Sequence, residues 1–124
     1  MGEHKDLVMG IQKQLKPVFS GSSQGIYIYL DDLNKVCNEK FASMLGYKSA
    51  QEWASVEENF PSAFVAPSSQ KKLVSTYQDA IENFNAAKVQ IEWKKKSGGM
   101  LKTDVILVPI TYEGHKMALH FVSA

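Results

Sequence analysis

Cysteine is almost absent from this sequence: Cys37 is the only one, so the chain can form neither an internal disulfide nor a cysteine-based structural zinc site. That usage fits a reducing compartment, and a cytoplasmic protein is expected. Long apolar runs are missing too. The longest, Val105 to Ile110, falls far short of the roughly 20 residues that span a bilayer, and the charged N-terminus lacks the apolar stretch of a secretion signal. No membrane partner is therefore expected. Nor is there charge of one sign: 14 Lys plus Arg against 13 Asp plus Glu leave a formal charge of +1, too weak a field to hold nucleic acid. Histidines are few and scattered, at His4, His115 and His120, and no serine or carboxylate sits in a nucleophile motif. Neither a metal site nor catalysis is expected.

What remains is an ordinary globular composition, 44% apolar, 10% aromatic and 22% charged over 124 residues. A chain of this length makes one domain and can bury about two thirds of the surface its unfolded form exposes. From His4 to Phe19 the residues Leu7, Val8, Ile11, Leu15, Val18 and Phe19 recur at helical spacing, which predicts an amphipathic helix that ends or kinks at Pro17. Gly21-Ser22-Ser23 is expected to be a loop. Ile26, Ile28 and Leu30 alternate with Tyr27 and Tyr29, a strand pattern with both faces covered. After the Asp31-Asp32 turn, a short strand from Leu33 to Cys37 leads to Asn38, a cap for a helix from Glu39 to Leu45 that Gly46 closes.

Ser49 to Glu52 has capping-box spacing and opens a short helix carrying Trp53. Phe60, Pro61, Phe64 and Val65 read as an aromatic-rich connection. Pro67 begins a longer helix with Leu73, Val74, Tyr77, Ala80, Ile81 and Phe84 on its apolar stripe. The period then changes to two. Val89, Ile91 and Trp93 alternate with polar residues, Ser97-Gly98-Gly99 turns the chain, a strand runs from Leu101 to Tyr112, and Met117 to Val122 follows the Glu113-Gly114 turn. Strands and helices are segregated, so the class is α+β with a pocket between sheet and helices.

The run Gly25 to Asp32, then Val36-Cys37-Asn38-Glu39-Lys40-Phe41, Leu45-Gly46-Tyr47 and Glu52-Trp53 resemble the first half of a PAS domain. Trp93 to Gly99, Val105 to Ile110 and Leu119-His120-Phe121-Val122 resemble its second half. The resemblance covers about residues 20 to 123 and implies an amphipathic helix with its connection over 1–20 and a PAS domain over 21–124. It implies a five-stranded antiparallel sheet with helices packed on one face. Its expected function is sensory: a small molecule bound between sheet and helices, relayed through the N-terminal helix or a dimer interface to a histidine kinase or other effector. A ligand-free interaction module, its interior filled by Trp53, Phe64, Tyr77 and Trp93, is the alternative.

The resemblance also sets expectations for residues. Ile28, Leu30, Val89, Ile91, Trp93, Thr103, Val105, Leu107, Ala118, His120 and Val122 should face inward. The ligand-contacting set is then Ile28, Leu30, Phe41, Leu45, Trp53, Phe64, Tyr77, Ile91, Trp93, Thr103, Val105, Leu107 and His120. On this reading His120 donates to a ligand carbonyl or carboxylate and titrates near neutral pH. Tyr27, Tyr29, Ile106, Val108, Ile110, Leu119 and Phe121 would form an apolar outer face, covered by the N-terminal helix or by a second copy. In the dimer version Leu7, Val8, Ile11, Leu15, Tyr27, Tyr29 and Phe121 make the interface. A covalent flavin adduct is argued against because Glu58-Asn59-Phe60-Pro61 stands where the reactive-cysteine string belongs, and His-ligated haem because Gln70 to Phe84 holds no histidine.

Overall fold

The structure, a computed structural model, describes the backbone from Gly2 to Ala124 and side chains from His4 onward, so Met1 of the expected 1–20 segment lies outside the described residues. Two helices, α1 (Gly2–Gln14) and α2 (Lys16–Gly21), precede strands β1 (Gly25–Asp31) and β2 (Asn34–Cys37). Four helices follow, α3 (Glu39–Met44), α4 (Ala50–Ala54), α5 (Phe60–Phe64) and α6 (Pro67–Asn83), then β3 (Ala87–Lys94), β4 (Met100–Tyr112) and β5 (His115–Ser123). The strands form one antiparallel sheet in the order β2-β1-β5-β4-β3.

Local chemistry explains the boundaries. The N-terminal helix breaks at Leu15, and Pro17 falls in the first turn of α2, where its missing N–H leaves no intrahelical bond unmade. Helical geometry persists through Gly21, beyond the expected stop, because proline is tolerated at that position. Asn38, Ser49 and Asn59 each accept the backbone N–H three residues on and so cap α3, α4 and α5. The third of these caps turns the expected connection around Phe60 into a helix. Between β4 and β5, Glu113 (φ 51) and Gly114 (φ 78) both take left-handed angles, the mirror-image turn whose twist suits a two-residue hairpin.

The sheet separates two cores. On one face Phe41, Leu45, Trp53, Phe64, Ile91, Trp93, Val105 and Leu107 pack with Tyr27 beneath α3 to α6. On the other, Leu7, Val8 and Ile11 of α1 pack with Ile26, Ile28, Met117 and Leu119. Thus α1 covers the chain's own sheet, and Leu7, Val8 and Ile11, expected in a dimer interface, are buried within a single copy. Leu15 and Phe121 remain only partly covered.

The phase of β1 is the reverse of the expected one. Tyr27 and Tyr29 face the helices α3 to α6, whereas Ile28 and Leu30 lie on the outer face under α1. Both sides of this strand are apolar, so alternation defines two faces without saying which is which. Pairing decides it: Tyr27 stands opposite His120 and Ile28 opposite Leu119, and cross-strand partners share a face.

Candidate functional site

Between β1 and β5 on one side and α5 and α6 on the other lies a cavity of about 300 Å³. Its walls are Tyr27 and Tyr29 from β1, His120 from β5, Phe60 and Pro61 with Asn59 at the start of α5, and Leu73, Val74, Tyr77 and Gln78 from α6. Three of its rings are nearly parallel. His120 lies 4.0 Å from Tyr27 at 11° and 6.0 Å from Tyr77 at 10°, centroid to centroid. Phe60 closes the corner, 5.5 Å from the Tyr27 ring and 5.0 Å from Tyr29.

Strand alternation puts His120, one residue from the outer-facing Leu119 and Phe121, into this layer. Its Nδ1–H donates to the Tyr27 carbonyl at 3.3 Å. Burial pushes the imidazole down to about 3, against the smaller opposing effect of its contacts with the Tyr27 and Ala118 backbone. The expected titration near neutral pH is therefore corrected: His120 is a neutral ring, because charging it would strand a cation in an aromatic interior.

The tyrosines are set firmly. Tyr77 donates from its hydroxyl to the Tyr29 carbonyl at 3.3 Å, and the Tyr29 hydroxyl donates to Asp32 Oδ1 at 3.1 Å. Asp32 Oδ1 also accepts the Phe60 N–H at 2.9 Å, which ties the start of α5 to the end of the sheet. Burial raises the Tyr27, Tyr29 and Tyr77 hydroxyls above the ordinary tyrosine value, so all three stay protonated. The Tyr27 hydroxyl and Trp53 Nε1 are buried without a hydrogen-bond partner among the described residues.

Of the expected ligand-contacting residues, the cavity brings together Tyr77 and His120 alone. Phe41, Leu45, Trp53, Phe64, Ile91, Trp93, Val105 and Leu107 are fully packed against one another in the adjoining core. Thr103 is a packing partner of a different kind, taking the Trp93 Nε1–H at 2.8 Å and donating to the Ile91 carbonyl at 3.0 Å. Ile28 and Leu30 lie across the sheet.

Sequence reasoning missed Asn59, Phe60, Pro61, Leu73, Val74 and Gln78 as wall residues and placed Tyr27 and Tyr29 on the opposite face, although Val74, Tyr77 and Gln78 at spacings of three and four mark one helix face. It also missed Lys35. That lysine is buried, donates to the carbonyls of Asp32 and Val56 at 2.6 Å and of Ala54 at 3.3 Å, and lies 5.6 Å from the Trp53 ring centroid. Desolvation lowers its pKa, opposed by nearby Asp32, Asp31 and Glu57. No group of three or more His, Cys, Asp or Glu able to hold a metal occurs among the described residues.

No protein-family model matches the sequence, and no curated protein does. Solved structures do match. The PAS domain of a protein from Colwellia psychrerythraea aligns with TM-score 0.69 and 19% identity, covering 91% of this chain and 95% of that one. The PAS domain of an HTR-like protein from Haloarcula marismortui aligns with TM-score 0.63 and 15% identity over 99% and 98% of the two chains. A PAS domain from a two-component sensor histidine kinase gives TM-score 0.65 and 13% identity over 91% and 97%. With the strand order, the helices grouped on one sheet face and the leading helix on the other, these superpositions identify the fold of this chain as that of a PAS domain.

Proposed function

We propose that this chain is a sensory signal-transduction module that binds a small molecule in the cavity between β1, β5, α5 and α6. The observation that carries the reading is the shared strand: the inner faces of β1 and β5 wall the cavity, and α1 sits on the outer faces of the same strands. A ligand that prefers one packing of β1 over another shifts the docking of α1 by its differential affinity for the two. The module acts by binding and performs no chemistry. Its output passes through α1 to a second copy or an effector; the likeness to a sensor histidine kinase's PAS domain favours a kinase as that effector class. Leu15, Phe121 and the exposed Met9, Val18 and Ile106 are the apolar groups left for a second copy. The lone buried thiol of Cys37 favours the cytoplasm.

The test is native mass spectrometry of protein purified from its own cells, run beside Val74→Trp, which plugs the mouth from a half-exposed position. An adduct on the wild type that the variant loses is the expected result. An adduct retained by the variant excludes this cavity, and bare chains throughout favour the second reading. That reading, a ligand-free interaction module, draws on the close packing of Trp53, Phe64 and Trp93, all at 0% exposure.

A further inference from the structure

Not one of the ten cavity-lining residues carries a charge, since His120 is held neutral. The Asp32 carboxylate beside the cavity, engaged by Tyr29 and the Phe60 N–H, has the sign that repels an anion. An anionic ligand would give up hydration and find no counter-charge, and the one carboxylate that could answer a cation lies outside the lining with its Oδ1 already accepting two hydrogen bonds. Flat rings are what the walls do offer. Tyr27 is itself stacked between His120 and Phe41, so the wall is a set of packed rings, Tyr27, Tyr29, Phe60, Tyr77 and His120, that suits an aromatic guest, and the volume of about 300 Å³ is at the lower end for small-molecule sites. Tyr27 supplies the polar handle: part of the wall, it carries a buried hydroxyl with no partner among the described residues. Phe60, 5% exposed, packs against both tyrosines.

Resting on the cavity reading above, we propose that the ligand is an uncharged, planar aromatic molecule of one or two rings whose carbonyl or ring nitrogen accepts the hydrogen bond that the Tyr27 hydroxyl lacks. The neutral form of the site, the ring geometry and the orphaned donor point to the same class independently.

Three two-ring probes of similar size separate the contributions: 2-quinolinone, which is neutral with an acceptor; naphthalene, neutral without one; and 2-naphthoate, an anion. Binding is read by isothermal titration and by backbone amide shifts on the wild type and Tyr27→Phe. The expected result is that 2-quinolinone binds about tenfold more tightly than naphthalene and about a hundredfold more tightly than 2-naphthoate. Tyr27→Phe erases the advantage over naphthalene while naphthalene affinity is kept, the latter also showing that the variant is folded. If 2-naphthoate binds as well as 2-quinolinone, or Tyr27→Phe leaves the quinolinone preference intact, the ligand class is wrong and the cavity reading stands. If none of the three shifts a cavity amide, the ligand class is wrong, and the adduct test with Val74→Trp decides the cavity reading separately.

Discussion

Replacing Asn38 with Ala is expected to lower the unfolding free energy by about 3 kcal/mol, a drop of roughly 10 °C in melting temperature. The residue is buried, and its side chain makes four hydrogen bonds to the backbone. Oδ1 accepts the Phe41 N–H at 2.9 Å, which caps α3, and the Ile26 N–H at 2.9 Å, in β1. Nδ2 donates to the carbonyls of Phe19 at 3.1 Å and Gln24 at 3.0 Å. One amide thus joins the end of α2, the approach to β1, β1 itself and α3. Alanine would leave two N–H groups and two carbonyls unpaired in a dry interior, so the loss exceeds that of an ordinary cap. Asn38→Ser separates the parts: its hydroxyl restores the cap but is too short for the rest, and should recover about 1 kcal/mol of the loss. Chemical denaturation of the three proteins measures this. A loss below about 1 kcal/mol for Asn38→Ala would mean that the network adds little beyond the cap.

Acidification should expose His120. Its folded pKa, about 3, lies below the unfolded value of 6.5, so the unfolded chain takes up a proton that the folded one refuses. The stability is fully present above about pH 6.5 and is lost as pH falls toward 3, at up to about 1.4 kcal/mol per pH unit. Carboxylates act lower down. At Asp31 burial pushes the carboxyl up, but hydrogen bonds from His4, from the Asn34 side chain and from the Leu33 and Asn34 N–H groups outweigh it and hold it below its usual range. Its share is lost only in stronger acid. Between about pH 6.5 and 5 the difference in slope between the protein and a variant without this imidazole therefore measures His120. His120→Leu should start from a lower stability, having lost the bond to the Tyr27 carbonyl and the ring stack, yet fall less steeply across that interval. Urea unfolding at stepped pH gives both curves; equal slopes would show that the imidazole titrates in the folded protein.

These residues differ in how legible they were. Asn38 stands between a strand and a helical stripe, and its cap could be read directly from the sequence; its reach to Phe19 and Gln24 depends on where α2 comes to rest. The meander of β3, β4 and β5 was readable because Lys88, Gln90, Glu92 and Lys94 mark one side and Val89, Ile91 and Trp93 the other. In β1 the tyrosines and the aliphatic residues are both apolar, and the pattern could not say which face met which core. The cavity wall was obscured for a related reason. Phe60 and Pro61 acquire their role from the Asn59 cap and the Asp32 tether to the Phe60 N–H, contacts spanning 3 and 28 residues of sequence. Lys35 in a four-residue strand looks like an ordinary solvated charge until the end of α4 and the turn after it bring the carbonyls of Ala54 and Val56 to its ammonium.

The central position of β5 has a consequence for the order of assembly. Tyr27 and His120 touch across 93 residues of sequence, and β1 reaches β4 only through β5. Before β5 docks, the chain can form the β1–β2 and β3–β4 hairpins and the helices between them, but both cores stay open. Closure of this sheet therefore waits on its pairing of greatest sequence separation, β1 with β5, the kind of contact that slows folding.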